Sequence, residues 1–149
     1  KLNKKNNNKN YKLDNEIEEL NNIIEKDPDS YFPNIKDNNS LFNLPLSNGK
    51  TLIYIACQEG KDEIVKFLLE KELNPLIKSK LENNKFENCL DVAVRWNYKK
   101  VVKLLLFSKK FGVKEIKEIL GRRNINKDIN SMLKEYLTLI KSNNSCKCF

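Results

Sequence analysis

The chain has 149 residues, a formal net charge of +8, a pI near 9.2 and no histidine. That length fits one domain with a sizeable core. The absence of histidine removes the commonest general base, proton shuttle and metal ligand, and the absence of any run of 18 apolar residues excludes a membrane-spanning helix.

From the first residue, Lys1 to Lys12 is a Lys/Asn-rich lead-in with little apolar content, expected to be disordered. Asp14 then caps a predicted helix to about Lys26, with Ile17, Leu20, Ile23 and Ile24 on one face, stopped by Asp27-Pro28-Asp29. A connection rich in aromatic and apolar residues follows, from Tyr31 to Leu44, and is expected to cover one end of the fold.

Asn48 to Pro75 organises the rest. It holds two short helical patterns separated by Gly60: Ile53, Ala56 and Cys57 on the first, Ile64, Val65, Leu68 and Leu69 on the second. Helices of about ten residues are marginal alone, so both stripes need cover. Cys89 to Phe107 repeats the order: Leu90 answers Ile53, Ala93 answers Ala56, Val101-Val102 answers Ile64-Val65, and Leu105-Leu106 answers Leu68-Leu69. The separation is 37 residues at both Ala56/Ala93 and Leu69/Leu106. A constant period of this size argues for a stacked repeat architecture.

The first copy resembles the ankyrin repeat through Gly49, Thr51, Ile53, Tyr54, Ala56 and Cys57. It departs from it where Leu52 replaces a proline and Tyr54 a histidine; in the second copy Asn88 replaces the threonine and Asn97 the glycine. The family period is about 33 residues. The second copy therefore carries an insertion of about four, best placed in the polar run Lys78 to Asn88, where the resemblance implies a projecting hairpin.

Beyond Phe107, Ser108 to Gly112 is too short for a hairpin. A brief helix is predicted over Val113 to Leu120, stopped by Gly121. A last one starts at Asn126 or Asp128, with Ile129, Met132, Leu133, Tyr136, Leu137 and Ile140 on one face, and ends before Ser142. The expected architecture is an all-α, ankyrin-type solenoid over residues 13–141, with a capping helix at each end, short hairpin fingers and a tail from residue 142.

No phosphate loop, nucleophile elbow, Cys/His pair or apolar carboxylate pair is present, so neither catalysis nor a cofactor is expected. The resemblance implies a protein partner held on a concave face: Ile55, Gln58 and Glu59 from the first repeat, Val92, Arg95 and Trp96 from the second, with Asn48, Lys50, Lys80, Lys85 and Phe86 from the hairpins. Trp96 beside Arg95 has the chemistry of a binding anchor; the competing role is packing over the finger or the C-terminal cap.

Charge supplies a second surface. Between Arg95 and Lys127 eleven basic residues, among them Lys99, Lys100, Lys103, Lys109, Lys110, Arg122 and Arg123, face only Glu115 and Glu118. That segment would draw an acidic protein, nucleic acid or an anionic surface. It lacks the aromatic interleaving of single-strand binders, so the protein partner is the first reading and a basic adaptor the second.

Cys57 and Cys89 fall at core positions and imply a reducing, intracellular, cytoplasmic setting. Cys146 and Cys148 allow three readings: a prenylation box ending in Phe149, the opening pair of a zinc module, or a plain tail.

Overall fold

The computed structural model describes residues 49–145, together with Asn43 and Pro45, and side chains as far as Asn143. The expected helix at 14–26, Asn48 and the pair Cys146 and Cys148 lie outside the described residues. The chain divides into two compact units, Lys1–Asn38 and Asn39–Phe149, and the described residues belong to the second.

Six helices and one two-stranded ladder make up the described part: α1 Leu52–Gln58, α2 Asp62–Glu70, β1 Ser79–Lys80, β2 Phe86–Glu87, α3 Cys89–Arg95, α4 Lys99–Phe107, α5 Val113–Leu120 and α6 Lys127–Ser145. The fold is all-α with a single finger among the described residues. α1 packs on both α2 and α3, α2 on α4, α3 on α4, and α6 on both α4 and α5. This is the side-by-side stacking that helices of 7 and 9 residues require, because neither length is stable without neighbours.

The 37-residue period extends to the helix ends. Thr51 Oγ1 caps α1 by accepting from Tyr54 N at 3.3 Å, and Asn88 Oδ1 caps α3 by accepting from Asp91 N at 3.0 Å. Asp91 Oδ2 returns the favour at 2.8 Å, completing a capping box. At the other end α1 and α3 close alike. Gly60 (φ +67°) and Asn97 (φ +61°) are both left-handed, with paired bonds Gly60 N→Cys57 O and Lys61 N→Ala56 O, Asn97 N→Val94 O and Tyr98 N→Ala93 O. Asparagine is the residue besides glycine that tolerates this backbone at least cost, which explains the departure at Asn97.

The insertion forms the finger. Ser79 pairs with Glu87 and Lys80 with Phe86 in an antiparallel ladder. Its base is tied to α1, where Thr51 N donates to the buried Ser79 Oγ at 3.4 Å. Cys57 and Cys89 are fully buried free thiols. Burial, then a hydrogen bond with Cys89, pushes the Cys57 thiol well up and keeps it protonated.

Of the two boundaries expected after α4, the first holds and the second moves. Gly121 closes α5, but in the right-handed conformation (φ −73°). The last helix does not stop before Ser142; it runs to Ser145, because no Pro or Gly interrupts the run.

Candidate partner-binding surface

The finger meets the inner helices at one carboxylate. Glu87, on β2, accepts from Arg95 Nε at 3.1 Å and Arg95 Nη2 at 2.8 Å, a two-bond fork. It also accepts from Tyr54 Oη at 3.1 Å. Tyr54 is fully buried on α1 and Arg95 ends α3, so the acid joins both repeats and the finger. The same hydrogen bonds to Glu87 hold the Arg95 guanidinium above its ordinary pKa.

Burial and then the Glu87 carboxylate push the Tyr54 phenol far above its ordinary value. The folded protein therefore favours the protonated form. Stability from this site is intact below the unfolded value of about 10 and is lost as pH climbs towards the folded one. Tyr54→Phe removes the effect. In urea denaturation over an alkaline series, wild-type stability falls more steeply than the variant's, by up to about 1.4 kcal/mol per pH unit; equal slopes would show that Tyr54 does not titrate with folding.

Two large aromatics stand out of this junction. Phe86, next to Glu87, is 58% exposed, and Trp96, next to Arg95, is 52% exposed. The Arg95 guanidinium lies 5.4 Å from the Trp96 ring centroid. Trp96 is thus half open and contacts its neighbour's cation. Glu59, Lys80 and Lys85 are exposed as expected, and Gln58 is half-buried, accepting from Lys50 Nζ at 2.8 Å.

Ile55 and Val92 do not belong to this surface. They are 2% and 0% exposed, because all five residues from Ile53 to Cys57 and all six from Cys89 to Val94 are buried. A seven-residue helix packed on two neighbours at once has no free apolar side to offer.

The basic residues are distributed rather than pooled. Lys99 pairs with Asp128 of α6, Lys100 with Asp62 of α2 at 3.6 Å, and Arg122 with Asp91 of α3 at 2.6 Å. Lys99 and Lys100 open α4, whose first turn carries no acid, so carboxylates of adjacent helices offset their conflict with the helix dipole. Lys103, Lys109, Lys110 and Arg123 have no carboxylate partner among the described residues. No group of three metal-ligating side chains occurs among them either, and no described helix is long and apolar enough to cross a membrane.

Comparison with known proteins accounts for the stacked pairs and the finger. The family model described as ankyrin repeats (3 copies) matches residues 14–118. The chain belongs to the ankyrin-repeat family. Its ankyrin region resembles part of the NAD-capped RNA hydrolase NUDT12 of Homo sapiens, Pongo abelii and Macaca fascicularis, at 40% identity over 70 residues in each case. That match covers 47% of this chain and only 14% of each relative. No solved structure matches the chain. Ankyrin repeats are non-catalytic modules that generally mediate protein–protein interaction.

Proposed function

We propose that this chain is a protein-interaction module, the scaffold or targeting part of a larger intracellular protein, that holds its partner on the finger and the adjoining ends of the inner helices. The observation that carries this reading is the pair of open aromatics, Phe86 and Trp96, set one residue to either side of the Glu87–Arg95 ion pair. Large aromatics and Arg are the side chains on which interfaces concentrate their energy. Here the ion pair fixes the backbone beneath them before any partner arrives, which lowers the ordering cost of binding. Surface lysines such as Lys80 and Lys85 steer an acidic partner inward without holding it. From the curated relatives this reading takes the ankyrin module alone; the hydrolysis in their name belongs to proteins of which the chain spans 14%.

The test is capture from native lysate on the immobilised chain, with nuclease, at low and then high salt. One defined protein is expected to survive both treatments, and its affinity to fall at least about tenfold with Phe86→Ala and Trp96→Ala combined. Both residues are exposed, so the variant keeps its fold. Loss of all binding to salt or nuclease would transfer the function to the basic residues around Lys103 to Arg123 and overturn the proposal.

A further inference from the structure

The apolar stripe of α6 is covered where the helix begins and open where it ends. Ile129 and Leu133 are fully buried, Tyr136 and Ile140 are partly exposed, and Leu139 is 61% exposed. Length is the cause. At about 1.5 Å per residue, the 19 residues of α6 run about twice as far as the 9 of α4 or the 8 of α5 that pack on it. The second half of α6 instead forms one wall of a groove of about 640 Å³. Phe107, at the end of α4 and 70% exposed, lines it as well, with the buried Phe111 and Leu106.

Four large apolar side chains are exposed among the described residues. Phe86 and Trp96 belong to the surface already described. The other two, Phe107 and Leu139, both line this groove, an apolar concentration that nothing else in the described fold explains. Charge is one-sided. Lys103 and Lys109 line the α4 rim, with Lys110 beside them, and none has a carboxylate partner among the described residues; Lys103 Nζ lies 6.0 Å from the Phe107 ring centroid. Glu115 is committed to Gly112 N at 2.9 Å, and Glu135 is the one acid lining the groove.

We propose that this groove docks an amphipathic helix from a protein partner, its apolar face between Phe107 and Leu139 and its carboxylates towards Lys103 and Lys109. A helix fits because the groove-lining groups of α6, Met132, Tyr136, Leu139 and Ile140, recur at helical spacing and offer ridges for a parallel neighbour. The unmatched lysines select an acidic polar face. A second copy of the chain is disfavoured, since it would bring the same lysines and a chain of net charge +8 against each other. This site shares no residue with the finger surface and stands or falls independently of it.

The probe is a displayed library of random peptides about four helical turns long, selected on the wild-type chain and counter-selected on Leu139→Asp. Enriched peptides are expected to carry Leu, Ile or Phe at helical spacing with Asp or Glu between. In fluorescence anisotropy, a synthetic binder should weaken at least about tenfold on Leu139→Asp or Phe107→Asp and several-fold on combined Lys103→Glu and Lys109→Glu. It should be indifferent to combined Phe86→Ala and Trp96→Ala. Circular dichroism melts verify folding, and Leu139→Ser replaces any aspartate variant that fails. The proposal is overturned if selection yields nothing sensitive to position 139, if the binders are basic or extended, or if sedimentation shows self-association that Leu139→Asp abolishes.

Discussion

Replacing Asp91 by alanine is expected to lower the unfolding free energy by about 3 kcal/mol, within the range for breaking a buried charged pair. Asp91 is 5% exposed and its carboxylate does two things. Oδ2 accepts from the Asn88 backbone N at 2.8 Å, and Oδ1 accepts from Arg122 Nη2 at 2.6 Å. Alanine leaves the buried Asn88 N–H without a partner, which costs about 1–3 kcal/mol, and frees the segment after α5 from α3. The Arg122 side chain is 43% exposed and rehydrates readily, which keeps the total near the lower end. Arg122→Ala spares the capping box but leaves the buried Asp91 carboxylate with the Asn88 N–H alone, and is expected to cost about 2 kcal/mol. Urea denaturation followed by far-ultraviolet circular dichroism orders the two; a larger loss for Arg122→Ala would mean that the ion pair, not the cap, carries the stability.

A second large loss is expected at Gly60→Ala, roughly 2 kcal/mol from two additive causes. The left-handed backbone (φ +67°) strains any Cβ, and that Cβ would stand 2.9 Å from Cε1 and Cζ of Tyr98. Asn97 occupies the matching place in the next repeat, with φ +61°. There Asn97→Gly is expected to change stability by less than about 0.5 kcal/mol, since both residues tolerate this conformation. Thermal melts of the two variants settle the matter. A loss at Gly60→Ala no larger than about 1 kcal/mol, the backbone cost of a left-handed Cβ by itself, would show that the Tyr98 ring contributes nothing.

The features that repeat were the readable ones. Thr51 and Asn88 are chemically different yet both cap a helix, and Gly60 and Asn97 both end one, so the correspondence of the two copies, with Asn88 in the place of the threonine and Asn97 in that of the glycine, extends to the helix ends. The finger fell where the polar surplus over the family period lay. The stripe Ile129, Leu133, Tyr136 and Ile140 gave the last helix before its packing was known. Local rules failed where the partner is distant in the chain. Glu87 meets Tyr54 from 33 residues away and Asp91 meets Arg122 from 31, and nothing in either neighbourhood announces the match. Ile55 and Val92 were misplaced for a related reason: helical periodicity assumes one buried side, whereas these helices are enclosed by neighbours contributed from elsewhere. A cue was available in the unbroken apolar run Ile53 to Cys57, which leaves no polar face.

The finger is rooted in more than its own repeat. Ser79 holds Thr51 at the start of α1, and Glu87 grips Tyr54 on α1 and Arg95 on α3. Two successive units of the stack therefore share one fulcrum, and any change in the curvature between them has to swing the projecting loop. On the proposed reading, a partner held at Phe86 would therefore bear on both repeats at once, through the same Glu87 that joins them.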